Sequence, residues 1–350
     1  MYSLLFFLFV TVAILAFAED QIPDRIKFFS LSALVTIMVI TATVKDITTV
    51  ADAETYEYLF YNTDNELISL TTEPTFVYLS RLVLYLGGSI AVIFCIYALI
   101  SIPLKIGLIQ KLTPFCFTAL IIYIPVYYEL HDLVQIRAAA AGAFLLLSIK
   151  MCADRKYTYL ILTYITAILF HYSSIAFLPF FILGNKPLKR KGMIVLALII
   201  PIGFLMYFLH HDLFSLIPSS LISGKADYYK SSAENGSAWD EMTIPYKNLY
   251  FMTKCILFYI LLYYNDYIKD KIPYYPIVMK VEAGSLFVML GMATVPVLAT
   301  RLSDLFGIID SIFFSYCLYI VSPRYIAKIG ITCVGLYMLI YNMLIAKYFG

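Results

Sequence analysis

The chain has 350 residues, of which 62% are hydrophobic and 14% are charged, and its mean hydropathy is +0.85. Soluble domains carry about 25% charged residues, so this composition excludes a soluble globular protein and predicts an integral membrane protein. The net charge of +2 does not indicate nucleic-acid binding. The six cysteines show no CxxC spacing, which gives no support for a disulfide framework or a zinc site.

The apolar segments predict the transmembrane helices. A spanning helix needs about 20 apolar residues, and on this criterion the sequence predicts about twelve spans in one integral membrane domain over residues 1–350. In chain order they lie near 2–18, 28–44, 76–101, 113–128, 133–150, 157–171, 173–184, 192–209, 247–264, 280–299, 304–321 and 328–346. The first lacks a basic leader, so we expect an uncleaved helix. The short pair 157–171 and 173–184 predicts a broken or re-entrant hairpin.

The distribution of Lys and Arg predicts the orientation. Most of them fall in one set of alternate loops, most densely in KPLKRKG (186–192), which places those loops in the cytoplasm and both termini outside. The two long loops, at about 45–75 and 210–246, then face outward, and the first is acidic. All four histidines also fall on the outward side. Any chemistry is therefore expected on that face.

Three arginines mark the outward ends of predicted spans. Arg137 lies near the start of the apolar stretch LVQIRAAAAGAF, and Arg81 and Arg301 also lie at the mouths of spans. One interfacial arginine is explained by snorkelling of its long side chain. Three on the side where positive charge is disfavoured are harder to explain in that way. If they converge, their planar guanidinium groups would suit a diphosphate. Both explanations stay open.

The histidines allow several interpretations. His171 in LFHYSSIAF lies at the turn between two short spans, either as a wet residue before a helix capped by Ser173 or Ser174, or as a general base. His131, beside Glu129, is expected in a solvated loop. Adjacent histidines do not share a helix face, so His210 and His211 do not predict a metal chelate. The phosphate-loop, dinucleotide-binding and metalloprotease motifs are absent from the sequence.

Five segments together resemble a known family. They are ADAETYEYLFYN (51–62), TEPTFVYLSRLV (72–83), VQIRAAAAGAFLLLSI (134–149), FHYSSIAFLPFFIL (170–183) and ATRLSDLFGI (299–308). In this order they are similar to the EpsG-type polysaccharide polymerases, which include O-antigen polymerases of the Wzy class. The resemblance runs from about residue 45 to 310, and the IR-plus-alanine helix and the HYSS turn are its most specific parts.

The resemblance implies a glycosyltransferase with a GT-C-like architecture in the bacterial inner membrane. Such an enzyme joins undecaprenyl-diphosphate-linked repeat units on the periplasmic face, without a metal or another cofactor. Its expected partners are the lipid-linked donor and acceptor, membrane lipid and a chain-length regulator. The implied catalytic residues are His171, Arg137 and Arg301. We expect the substrate-binding residues to be Arg81, Asp52, Tyr56, Glu73, Glu129, His131 and Ser173, and Asp52, Glu73 and Glu129 are alternative bases.

Two other functional classes remain in competition at this point. A flippase for lipid-linked sugars would use the same cationic cavity, but it predicts polar residues on both faces for alternating access. A membrane acyltransferase that modifies surface glycans would need cytoplasmic access to an acyl donor or a histidine deep in a tunnel, and His171 keeps this class open. A structural membrane partner of an assembly complex is a third possibility.

Overall fold

The computed structural model describes residues 1–210, 248–293 and 296–349. The second long loop predicted from the sequence, with His211 and Trp239, lies outside these residues except for His210. Within the described ranges the chain is helical, and its extended pairing is limited to one isolated bridge between Val50 and Phe349. The prediction of an all-α fold is confirmed.

Five helices in the described part of the chain are long and apolar enough to cross a membrane. They are Asp24–Thr43, Ile90–Leu112, Ile136–Ala153, Arg190–Phe208 and Arg324–Ala346. Shorter apolar helices lie at Tyr2–Ala18, Tyr157–Phe170, Tyr172–Leu183 and Leu249–Tyr263. A polytopic helical membrane protein is therefore confirmed, whereas the total of about twelve spans and the GT-C-like arrangement stay predictions.

The helices pack as two compact units, Met1–Ile175 with Asp310–Gly350, and Ala176–Ile309. The first unit contains α1 (Tyr2–Ala18), α2 (Asp24–Thr43), α3 (Ala53–Tyr61), α4 (Glu66–Thr71), α5 (Pro74–Tyr85), α6 (Ile90–Leu112), α7 (Cys116–Ile122), a π helix (Tyr123–Val134), α8 (Ile136–Ala153) and α9 (Tyr157–Phe170). The second contains α10 (Leu178–Leu183), α11 (Arg190–Phe208), α12 (Leu249–Tyr263), α13 (Asn265–Ile268), α14 (Tyr275–Gly291) and α15 (Pro296–Phe306). The first unit resumes with α16 (Asp310–Ser315) and α17 (Arg324–Tyr341). The prediction of a single domain stays a prediction.

Small side chains organise the first unit around α8. Its first two turns carry Ala138–Ala141 and Gly142, all buried, and α8 packs against both α6 and α9. Small residues let helix backbones approach closely, which is how membrane helices associate without a hydrophobic driving force. The run of alanines therefore fixes α8, with Arg137 in its first turn, between its two neighbours.

Aromatic and glycine contacts organise the second unit. The Phe306 ring packs edge-on against Phe177 and Phe180 at centroid distances of 4.9 and 5.2 Å. Gly203 of α11 lies against Leu290 of α14, where an added Cβ would be 3.0 Å from the leucine side chain. This glycine lets α11 and α14 approach closely.

Several predicted boundaries are wrong. The span expected at 76–101 is interrupted at Gly87, whose φ of +72° ends α5 and turns the chain into α6. The loop expected at 45–75 contains α3 and α4, and the Asn65 side chain caps α4 by accepting hydrogen bonds from the Leu67 and Ile68 amides.

The expectation of a solvated loop around His131 is also wrong. The helix that begins at Cys116 continues as the π helix to Val134, and the exposed fractions of Glu129 and His131 are 0% and 1%. π helices are rare in proteins, and those that do occur lie frequently at functional sites. By contrast, the break expected at His171 is confirmed, because α9 ends at Phe170 and a 3₁₀ helix begins at Tyr172.

Candidate functional site

Glu73 is the centre of a polar cluster in the first unit. It directly precedes Pro74, the first residue of α5, and its backbone is extended. Proline at this position is favourable because its fixed φ suits the helix and its missing amide hydrogen has no partner there. The Glu73 side chain is only 6% exposed. A buried carboxylate of this kind needs charged or hydrogen-bonding partners.

Arg137 binds one oxygen of this carboxylate. It lies in the first turn of α8, and its Nη1 donates to Glu73 Oε2. Its guanidinium carbon lies 5.4 Å from the centroid of the Tyr56 ring and 5.8 Å from that of Phe76, within the range of cation–π contacts. Arg137 is therefore held by a carboxylate and two aromatic rings. Its Nε is buried and has no hydrogen-bond partner.

His171 binds the other oxygen of the same carboxylate. The residue is extended, with φ of −157°, directly after the last residue of α9. Its Nδ1 lies 2.8 Å from Glu73 Oε1, and the side chain is 27% exposed. Because an ionised carboxylate only accepts hydrogen bonds, Nδ1 carries the hydrogen of this contact. In the neutral ring, Nε2 is then left as the proton acceptor.

Glu73 is ionised in this arrangement. Burial on its own raises the pKa of Glu73, but the hydrogen bond from His171 and the positive charge of Arg137 outweigh it and lower the pKa to about 2. The carboxylate therefore keeps its negative charge at neutral pH and acts as an acceptor for both partners. We call Glu73, Arg137 and His171 the carboxylate cluster.

Aromatic side chains surround the carboxylate cluster. The rings of Tyr56, Phe76, Tyr97 and Phe170 follow one another at centroid distances of 5.8, 6.3 and 5.5 Å. The Tyr56 side chain is buried, and burial raises its pKa. These rings keep water from the protein-facing side of the cluster, which strengthens its electrostatic interactions.

A threonine connects the two segments that meet in the cluster. Thr75 lies in the first turn of α5, and its Oγ1 donates to the Leu169 carbonyl at 2.9 Å. Leu169 lies in the last turn of α9, where backbone carbonyls lack partners within the helix. This bond lies two residues from Glu73 on one side and two residues from His171 on the other. It therefore fixes the carboxylate and the imidazole relative to each other.

The other predicted site residues of the first unit lie in different surroundings. Arg81 Nη2 donates to the Thr63 carbonyl at 2.7 Å, so Arg81 holds the connection between α3 and α4. Asp52 is exposed and adopts φ of +63° immediately before α3. Ser173 is half-buried beside His171. Their roles in binding substrate stay predictions, as do those of the buried Glu129 and His131.

Ser174 does not cap the following helix as one interpretation expected. Its Oγ donates back to the Ala167 carbonyl of α9 at 3.2 Å. Arg301 belongs to the second unit, where it lies in α15 with an exposed side chain. Its catalytic role stays a prediction.

Sequence reasoning missed two buried ion pairs. Lys105 Nζ of α6 lies 2.9 Å from Asp132 Oδ2, and the exposed fraction of both side chains is 0%. In the second unit, Lys254 Nζ of α12 lies 3.3 Å from Glu282 Oε1 of α14. The sequence did contain a signal for these pairs, namely charged residues within apolar segments, because such residues pair with one another in membranes.

Thr75 and Phe76 were also missed, although both lie in the EPTF segment that includes Glu73. No group of three or more possible metal ligands occurs in the described part of the chain.

The comparison with protein families decides the identity. The sequence matches the EpsG family over residues 26–349. The chain belongs to the EpsG family. No curated protein and no solved structure matches the chain. With its apolar helices, this EpsG-family protein is a membrane protein of the polysaccharide-polymerase type.

Proposed function

We propose that this EpsG-family protein joins oligosaccharide repeat units carried on undecaprenyl diphosphate. The growing glycan is the donor, a single lipid-linked repeat unit is the acceptor, and the reaction takes place on the periplasmic face of the inner membrane. The observation that carries the proposal is the carboxylate cluster, in which Glu73 binds Arg137 with one oxygen and His171 with the other. The same carboxylate thus holds a cation, Arg137, and orients a base, His171.

His171 acts as the general base in this proposal. Glu73 accepts the Nδ1 hydrogen and holds the ring in the tautomer whose Nε2 removes the proton from the acceptor hydroxyl. The hydroxyl oxygen then bonds to the anomeric carbon of the donor while the bond from that carbon to the diphosphate breaks. Undecaprenyl diphosphate leaves with the electron pair of that bond. No nucleotide is required, because the donor carries its own leaving group.

Arg137 stabilises the negative charge that develops on the leaving diphosphate. Arginine presents five N–H donors, and the described contact to Glu73 uses Nη1. Its orientation is set in advance by Glu73 and by the Tyr56 and Phe76 rings, so little reorganisation is needed at the moment of reaction.

The charge of the carboxylate cluster changes during the proposed reaction. With a neutral imidazole, the charges of Arg137 and Glu73 cancel. When His171 takes the proton of the acceptor, the cluster gains one positive charge while the diphosphate gains negative charge. Proton removal thus strengthens the attraction between the cluster and the leaving group.

The remaining assignments belong to the same proposal. They comprise the twelve-span GT-C-like topology, the roles of Arg301, Arg81 and Asp52 at the substrates, and a chain-length regulator as a partner.

The test is polymerisation by the purified protein in vesicles that contain a synthetic lipid-diphosphate repeat unit. Gel electrophoresis of the glycan should show a ladder. We expect His171→Ala to lower turnover about 10²- to 10⁴-fold, which is the usual contribution of a general base. Arg137→Ala and Arg137→Lys should each lower it about 10²- to 10³-fold, because lysine cannot reproduce the fork of donors.

The control is Arg324→Ala. Arg324 is also an arginine with a carboxylate partner, Asp20 at 3.2 Å, but it belongs to an exposed pair outside the cluster. It should leave turnover close to that of the parent protein. Lipid movement between leaflets without a ladder would instead identify a flippase. A normal ladder from Arg137→Ala would remove Arg137 from the proposed mechanism.

A further inference from the structure

A strip of exposed apolar side chains follows α4 and α5. Six residues are between 53% and 87% exposed, although all are leucine or tyrosine. We call them the apolar strip: Leu67, Leu70, Tyr78, Leu82, Tyr85 and Leu86. Continuous apolar surface of this kind marks an interaction site for protein or membrane.

The opposite side of α5 is buried. Phe76, Val77, Ser80 and Val83 have exposed fractions of 4% or less. Tyr78, Leu82 and Tyr85 follow the i, i+4, i+7 spacing of a single helix face. The helix therefore has two apolar faces, one packed in the first unit and one exposed. A helix in water would carry polar residues on the second face.

The length of α5 excludes a crossing of the membrane. The helix has 12 residues. At about 1.5 Å per residue it is about 18 Å long, whereas the hydrocarbon core is about 30 Å thick. The apolar strip would therefore meet lipid only at the edge of the bilayer.

The continuation of the chain points to lipid. After the turn at Gly87, α6 begins at Ile90, and α6 is one of the candidate spans. Its side chains Val92 and Leu99 are 42% and 55% exposed, as expected for a lipid-facing row. The apolar strip thus leads along the chain into a lipid-facing helix. Arg81 and the two tyrosines also match the composition of the boundary between hydrocarbon and headgroups.

We infer that the apolar strip lies in the membrane and makes α5 an interfacial helix at the level of the lipid headgroups. Four of its six residues are leucines. Leucine has no aromatic face to stack on a sugar ring, which favours lipid over glycan as the partner. The length of α5 and its exposed apolar face both suit shallow insertion of a helix.

An interfacial α5 also sets the depth of the carboxylate cluster in the membrane. Because α5 begins directly after Glu73, an interfacial α5 carries this residue at headgroup depth. A lipid diphosphate presents its phosphates at that depth, so this consequence rests on the proposed function. The position of the strip itself is measured without any assay of activity, so its failure is distinguishable from failure of the proposed function.

Fluorescence quenching by brominated phospholipids measures the depth. Trp239 is the only tryptophan, so Trp239→Phe supplies a background for single-tryptophan variants of the full chain. Tyr85→Trp reports on the strip, and Leu99→Trp provides a reference within a span. Tyr58→Trp provides a reference on α3, where Tyr58 is 60% exposed one turn after the exposed Glu54. Each variant is reconstituted in phosphatidylcholine vesicles with bromine near the headgroup or near the middle of the bilayer.

We expect the Tyr85→Trp variant to lose about half of its emission with shallow bromine and less with deep bromine. The Leu99→Trp variant should show the reverse order, and the Tyr58→Trp variant should show little quenching. Equal quenching at positions 85 and 58 would overturn the inference, as would a spectral change at 85 only after soluble repeat-unit glycan is added. If Tyr85→Trp does not fold, Leu82→Trp tests the same face.

Discussion

Glu73 has two roles, and both require the buried carboxylate to stay ionised. It must stay ionised to hold Arg137, and it must accept the Nδ1 hydrogen to orient His171. Burial alone opposes ionisation. The two partners together overcome this cost, and the pKa of Glu73 falls to about 2 from the ordinary 4.5. The positions of the Arg137 and His171 side chains therefore both depend on the carboxylate between them.

The lowered pKa predicts how stability depends on pH. The unfolded chain takes up a proton on Glu73 near pH 4.5, whereas the folded protein does so only near pH 2. The stabilisation by ionised Glu73 is therefore fully present above pH 4.5 and is lost as the pH falls towards 2. Its size is about 3 kcal/mol at neutral pH, since one pKa unit corresponds to about 1.4 kcal/mol.

Thermal unfolding of detergent-solubilised protein between pH 7 and pH 3 tests this prediction. Glu73→Gln should unfold at a lower temperature than the parent protein at pH 7, and the gap should narrow as the pH falls below 4.5. A matched variant is Glu66→Gln, which alters an exposed acid in the first turn of α4. Parallel curves for Glu73→Gln and the parent protein would contradict the assignment of the low pKa.

At the scale of elements, the candidate site is made where α5 begins, α8 begins and α9 ends. Each of these helix ends is fixed by a local feature: Pro74 for α5, the buried alanine run for α8 and the extended His171 for α9. Between α5 and α9, the hydrogen bond from Thr75 to Leu169 lies directly beside the contact of Glu73 with His171. Thr75 is a positioning residue, because it contacts the backbone of the helix that carries His171.

Thr75→Val is expected to lower kcat about fivefold with little change in KM. The substitution keeps the shape of the side chain and removes one hydrogen bond, which contributes about 1 kcal/mol. The substrates bind unchanged, but Glu73 and His171 are held less firmly at the reacting atoms. Steady-state kinetics with the lipid-linked repeat unit separates these two effects.

Two further variants distinguish positioning from general loss of stability. Thr75→Ser restores the hydroxyl and should recover most of kcat. Thr71→Val removes a hydroxyl that bonds only within its own helix, to the Leu67 carbonyl at 2.8 Å, and should leave kcat unchanged. Equal losses from Thr75→Ser and Thr75→Val would rule out the hydrogen bond as the cause.

The hydropathy of the sequence predicted the long apolar helices. It did not predict the elements and contacts that form only through tertiary packing. The apolar run 133–150 corresponds closely to α8, and the break at His171 follows from two short segments. Helix α3 was missed because its nine residues are too short to be stable alone and depend on burial of Tyr56 and Phe60. Arg137 and His171 were predicted as separate candidates, but their common partner lies 64 and 98 residues away along the chain. A contact at such a separation is a property of the fold.

At the scale of the whole molecule, each of the two units contains a buried pair of a lysine and a carboxylate. The Lys105–Asp132 pair in the first unit is the more completely buried, and Asp132 also accepts hydrogen bonds from Ser101 and Tyr123. The second unit has the corresponding Lys254–Glu282 pair. Removing one partner of a buried pair leaves an uncompensated charge, which costs about 3–5 kcal/mol, whereas removing both charges is often nearly neutral.

Lys105→Met should therefore destabilise the protein strongly, with a lower unfolding temperature and less folded protein in the membrane. The double variant Lys105→Met with Asp132→Asn should recover much of that loss, because asparagine has no charge and its amide oxygen still accepts from the Tyr123 hydroxyl. Lys111→Met, at an exposed lysine one and a half turns further along α6, provides the matched control and should change little. Thermal unfolding in nanodiscs compares the four proteins. If the double variant is as unstable as Lys105→Met alone, then the contacts of the lysine chain itself, and not its charge, stabilise the interior of the first unit.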